Sequence, residues 1–145
     1  YYIHESTPDP IQLNTLLSSI DGIIFIWDAD LDRTEENSLL FKEFLKNLPL
    51  NNRYPLVLAL NKVDLPHTVR SQDVQRLLTE IQFEEQLQTA LFTDTIYSGL
   101  TVFETIGTSG TNVKKVLMNC VRMITNQNQA QIQEFQKILY QEAQV

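Results

Sequence analysis

The chain has 145 residues, 43% of them hydrophobic, which is enough for one domain with its own core. It carries 18 acidic and 11 basic side chains, a net charge of −7. That balance argues against the basic face that nucleic-acid phosphates require, and against a polybasic patch for anionic lipid.

In chain order, Leu13, Leu16 and Leu17 share one face of a predicted first helix. Gly22-Ile23-Ile24-Phe25-Ile26-Trp27-Asp28 follows, a continuous run of β-branched and aromatic residues. Such a run predicts a strand buried on both faces, as in parallel sheets. Asp28 and Asp30 then read as the start of a turn ahead of a helix, with Trp27 as packing. Asp28, Asp30 and Asp32 do not make a calcium loop, because the glycine and terminal glutamate of that pattern are absent. Leu39, Leu40, Phe44, Leu45 and Leu48 predict the core stripe of the next helix.

A second buried strand is expected over Pro55-Leu56-Val57-Leu58-Ala59-Leu60, ending sharply at Asn61. Val74, Leu77, Leu78 and Ile81 stand at helical spacing after it. The connection from Phe83 to Gly99 is long and mixed and has no sharp reading. A third strand is expected over Leu100 to Thr105. Val113, Val116, Leu117, Cys120, Val121 and Ile124 then form a helical stripe. Residues 126–145 are rich in glutamine, with Ile132, Phe135 and Leu139 on one face, and read as an extra amphipathic helix. It would pack on the domain or meet a partner.

The order α-β-α-β-α-β-α implies right-handed crossovers and a parallel sheet with helices on both faces. In such sheets ligands bind outside the carboxyl ends of the strands. The residues after Trp27, Leu60 and Thr105 are therefore the places to look. Cys120 lies on a core stripe and reads as a buried structural thiol. One cysteine makes neither an intramolecular disulfide nor a multi-cysteine zinc site, and a reducing, cytoplasmic setting is expected. His4 and His67 are too far apart in sequence to predict a metal site. No apolar run is long enough to span a bilayer, and no signal-peptide pattern opens the chain.

Asn61-Lys62-Val63-Asp64-Leu65-Pro66 follows the second strand. It resembles the N-K-x-D motif of the Ras-like small GTPase superfamily, and the trailing Leu-Pro is similar to its Arf and MglA-like branches. The chemistry accounts for the residue types. Guanine offers two adjacent donors, N1–H and the exocyclic amine, and a carboxylate offers two acceptors at matching spacing. Adenine has an acceptor at N1, which would face the lone pairs of Asp64. The wrong base would thus leave polar groups unpaired, and discrimination of this kind is large. By resemblance, the stem of Lys62 lies along the base and its ammonium ties to a phosphate loop, while Asn61 fastens neighbouring loops.

Glu104-Thr105-Ile106-Gly107-Thr108-Ser109-Gly110-Thr111-Asn112-Val113 is similar to the family segment E-T-S-A-x-x-G-x-N-V after the last strand. Ile106-Gly107 replaces Ser-Ala. The resemblance implies that the Gly107 amide can still donate to guanine O6, and that the serine hydroxyl at Ile106 is lost. The implied guanine-binding set is Asn61, Lys62, Asp64, Ile106 and Gly107. No residue of this chain is assigned to catalysis or to a metal.

The phosphate loop G-x-x-x-x-G-K-[ST] does not occur in the sequence. Nor does D-x-x-G occur between Tyr1 and Pro10, where the family pattern would place it. The resemblance, roughly over residues 10 to 125, thus implies a P-loop NTPase-like (Ras-like) α/β fold without its N-terminal strands and phosphate loop. Residues 1–125 would be the C-terminal portion of a Ras-like G domain. Two accounts are open. The chain begins without methionine and is a piece whose phosphate half lies upstream, or it is a degenerate relative acting as a pseudo-GTPase scaffold. Under the first, the whole protein is a GTP-hydrolysing switch with GTP or GDP as ligand and regulatory or effector proteins as partners. Mg²⁺ is expected only with the phosphate-binding half. A flavodoxin-like or receiver domain shares the alternation but not the two motifs.

Overall fold

The computed structural model describes residues 10–48, 54–84 and 101–142. Among them the order is α1 (Pro10–Leu17), β1 (Ile23–Asp28), a 3-10 turn (Leu31–Arg33), α2 (Thr34–Lys46), β2 (Leu56–Asn61), α3 (Ser71–Glu84), β3 (Val102–Thr105) and α4 (Val113–Glu142). This is the alternation that periodicity predicts. Expectations for residues 1–9, for 85–100, which include the predicted start of the third strand at Leu100, and for the last three residues lie outside the described residues.

The strands pair in parallel in the order β1-β2-β3. Asp28 is level with Asn61, and Asn61 is level with Thr105. The three carboxyl ends therefore finish side by side, and the loops that leave them share one edge of the sheet.

Alternating side chains divide the core. On one face, Phe25 and Trp27 of β1 and Leu56, Leu58 and Leu60 of β2 pack against Leu17, Phe41, Leu45, Val74, Leu78 and Ile81. Those residues come from α1, α2 and α3. Phe25 meets Phe41 edge-on with ring centroids 4.9 Å apart. Tyr54 ties α1 to this layer by donating to the Leu17 carbonyl (2.9 Å). On the other face, Val57 and Ala59 pack against Val116 and Cys120 of α4, with Phe103, Met123 and Ile124 around them.

Three expectations are corrected. β1 is not buried on both faces: Ile24 is 37% and Ile26 55% exposed. β1 is an edge strand among the described residues, and α4 crosses the sheet over β2 and the start of β1, where Gly22 lies against Ile124 and Cys120. In α2 the core face adds Asn37 and Phe41 to the predicted Leu45 and the partly buried Phe44, and Leu48 is buried just after the helix, but Leu39 of the predicted stripe is 61% exposed. The helix is rotated so that Phe41, rather than Leu39, reaches the aromatic cluster. In α4 only Val116 and Cys120 of the predicted stripe are buried, while Val113, Leu117 and Val121 are exposed, because a single sheet face lies against the helix.

The tail continues α4 without a break across residue 125, and Ile132, Phe135 and Leu139 are exposed along it. Among the described residues, no helix is long and apolar enough to cross a membrane.

Candidate functional site

β2 is the central strand, and every residue from Leu56 to Leu60 is buried. The chain leaves it at Asn61 and turns at once, because Lys62 adopts a left-handed conformation (φ 69°). That conformation is uncommon outside glycine and persists only where its surroundings hold it. Two features hold it here. The Leu65 amide closes the turn by donating to the Lys62 carbonyl (3.2 Å). The Lys62 ammonium donates to Asp28 Oδ2 at the end of β1 (2.7 Å).

Asn61 joins the two predicted segments. Its Oδ1 accepts the Gly107 amide (2.9 Å) and lies 3.3 Å from the Thr105 hydroxyl. Thr105 is buried, and its hydroxyl also reaches the Leu60 carbonyl (3.3 Å). The amide that the resemblance directs at guanine O6 is therefore engaged by the Asn61 side chain. Alanine would fit at Gly107, since a Cβ there would stand 3.4 Å from Asn61 Oδ1.

Ile106 is half-buried and exchanges two backbone hydrogen bonds with Thr111 (3.1 and 3.2 Å), which closes the loop around Gly110. Gly110 (φ 75°) and Asn112 (φ 59°) take the left-handed conformations that such a tight return needs. Asn112 Nδ2 donates to the Glu104 carbonyl (2.8 Å), and Glu104 Oε1 accepts the Ser71 amide at the start of α3 (3.1 Å). The loop after β3 is thus fastened to β2, α3 and its own far end.

Asp64 lies in the same turn as Lys62. It is exposed, and its carboxylate makes no hydrogen bond or ion pair among the described residues. It has the chemistry that two adjacent N–H donors require: two acceptor oxygens with nothing else to satisfy. The five predicted residues thus lie at the end of β2 and on the two loops that leave β2 and β3. Lys62 and Asp64 share the first, Ile106 and Gly107 the second, and Asn61 links the two.

Asp28 is the residue that sequence reasoning placed only in part. It does begin a turn, since its Oδ1 accepts the Asp30 amide (3.1 Å). It also holds Lys62. Burial pushes its carboxyl up, but the Lys62 hydrogen bond, the Asp30 amide and the charges of Lys62 and Arg33 together hold it below the usual carboxylate range. The signal was its place at a strand end; what it faces was not visible. Among the described residues, no three or more His, Cys, Asp or Glu side chains converge on a metal position.

No protein-family model matches the sequence. The chain is 29% identical over 99 residues to the mutual gliding-motility protein MglA of Myxococcus xanthus, a match covering 63% of this chain and 46% of that protein. The fold is similar to that of a Plasmodium falciparum protein described as nucleolar GTP-binding protein 1. There the TM-score is 0.57 at 16% identity, over 96% of this chain and 65% of the other. The chain thus spans less than half the length of MglA. It is similar in sequence to a small Ras-like GTPase and has an α/β P-loop NTPase-like fold.

Proposed function

We propose that this chain supplies guanine-base recognition in a GTP-binding switch domain. The observation that carries the reading is the pair of loops joined by Asn61. It places Asn61-Lys62-Val63-Asp64 at the end of the central strand and bonds it, at 2.9 Å, to the Gly107 loop. Asp64 takes guanine N1–H and the exocyclic amine on its two oxygens. Guanine O6 shares the Gly107 amide with Asn61 Oδ1 or displaces it. The stem of Lys62 covers one face of the base. Ile106 shapes the loop through its backbone.

The free Asp64 carboxylate and the exposed Gly107 fit a guanine edge. GTP or GDP is the ligand class that follows. Nothing in this chain's sequence corresponds to the residues that hold phosphates and Mg²⁺, so hydrolysis by the whole protein would draw on residues other than these. Regulatory and effector proteins are the expected partners of such a switch.

The test is competition. Fluorescent GDP bound to the protein should be displaced by GDP and GTP and not by ATP. Displacement by ATP at equal concentration, or no binding at high micromolar protein, refutes the reading. A second reading is a pseudo-GTPase scaffold. The exposed Ile132, Phe135 and Leu139 on the far part of α4 favour it, because they offer a partner an apolar helix face.

A further inference from the structure

The lysine of the base loop is held by a residue that the base-recognition reading does not use. Lys62 Nζ lies 2.7 Å from Asp28 Oδ2, across 34 residues of sequence. The two side chains differ in setting: Lys62 is 50% exposed, Asp28 only 15%. The carboxylate is fixed from several sides. Its other oxygen accepts the Asp30 amide at 3.1 Å. The carbonyl of Asp28 accepts Nδ2 of buried Asn37 on α2 at 2.9 Å. Its backbone is in register with Asn61 on the neighbouring strand.

The nearby alternative cation is turned elsewhere. Arg33 Nη1 is 3.8 Å from Asp28 Oδ2, whereas Arg33 bonds Glu36 Oε2 through Nε at 3.0 Å and through Nη2 at 2.9 Å. Lys62 is thus the close partner of a carboxylate whose position the sheet dictates.

We propose that Asp28 is a positioning residue for guanine-nucleotide binding, acting through Lys62: the strand-end carboxylate fixes the ammonium, and so holds the lysine stem on one course beside the base. This rests on the reading of Asn61 to Asp64 as the base loop. The physical reason is preorganisation. A free lysine has rotamer entropy to lose when its stem is ordered against a ligand. A lysine already tied at its head loses less on binding, and the affinity gains the difference. The tie also supports the left-handed Lys62 backbone that swings the chain from β2 toward Asp64.

The experiment is a double-mutant cycle on the protein, read as fluorescent GDP affinity, with Asp28→Asn, Lys62→Ala and both together. Asp28→Asn should weaken GDP by ~3- to 10-fold, in the range of a partly buried coupled pair. In the Lys62→Ala background the same change should do almost nothing, which a merely structural role would not produce. Equal losses in both backgrounds, or no loss in either, overturn the proposal. Asp64→Asn is run beside them. GDP binding that is absent, or indifferent to Asp64→Asn, overturns the base reading itself. Asp64-dependent binding without coupling overturns only the role of Asp28. A second measurement needs no variant. In the native protein the Lys62 amine should be acylated several-fold more slowly than the exposed Lys114, by mass spectrometry, and equal rates count against the pair.

Discussion

Replacing Asp64 with asparagine exchanges one acceptor oxygen for an NH₂ donor and leaves the size of the side chain unchanged. Asp64 is exposed and makes no other bond among the described residues, so the fold should lose little and the change should appear in binding. The amide Oδ1 can still accept guanine N1–H, now without charge assistance. Its Nδ2, however, meets the exocyclic amine donor to donor. Hydrogen bonds to charged groups contribute about 1.5–3 kcal/mol net, and an opposed donor costs about as much as a lost bond. Solvent access at this exposed position trims the sum to about 2–3 kcal/mol, roughly a 30- to 150-fold loss of GDP affinity. Xanthine carries an oxygen at C2, which suits the new donor, so xanthosine diphosphate should gain where GDP loses. The assay is competition of both nucleotides against fluorescent GDP on wild type and variant, with the thermal midpoint as the check on folding. Unchanged GDP affinity, or equal losses for both nucleotides, would refute the placement of Asp64 at the base.

Three further outcomes follow from the packing and the charges. Phe41→Ala should cost about 3–5 kcal/mol in urea unfolding, because Phe41 is fully buried between Phe25, Trp27 and Phe44. Leu39→Ala, two residues away and exposed, should stay within about 0.5 kcal/mol, and the reverse order would mean α2 is rotated from the position described. Asp28 has a folded-state pKa below its unfolded value, so its contribution is present above the unfolded pKa and is lost as pH falls through the folded one. Acid unfolding curves below roughly pH 4 should therefore be steeper for wild type than for Asp28→Asn, and parallel curves would exclude a stabilising pair. Burial pushes the Cys120 thiol up, so thiol reagents at neutral pH should label it slowly in the native protein and rapidly in urea. Fast native labelling would show that α4 does not cover it.

The site was legible where its residues are neighbours in the chain. Asn61, Lys62 and Asp64 stand together after an apolar run, and on the proposed reading the shape of guanine accounts for those residue types. Gly107 was legible because its segment also follows a strand. Asp28 was not. It pairs with a residue 34 positions later, and that depends on β1 lying beside β2. The bond from Gly107 to Asn61 spans 46 positions and depends on β3 lying on the other side.

The sequence alone determined the order of the elements, the parallel sheet and the strand ends at which ligand chemistry belongs. Each of these follows from patterns within a few residues: period 2 or an unbroken apolar run for strands, period 3.6 for helices. Tertiary structure alone decided which apolar residues are covered. Ile24 and Ile26 read like core residues and are exposed, because β1 is an edge strand among the described residues and α4 crosses over β2. Leu39 reads like core and gives way to Phe41, because the aromatic cluster sets the rotation of α2. Burial and ion pairing depend on what arrives from far along the chain, and hydrophobic periodicity carries no record of it.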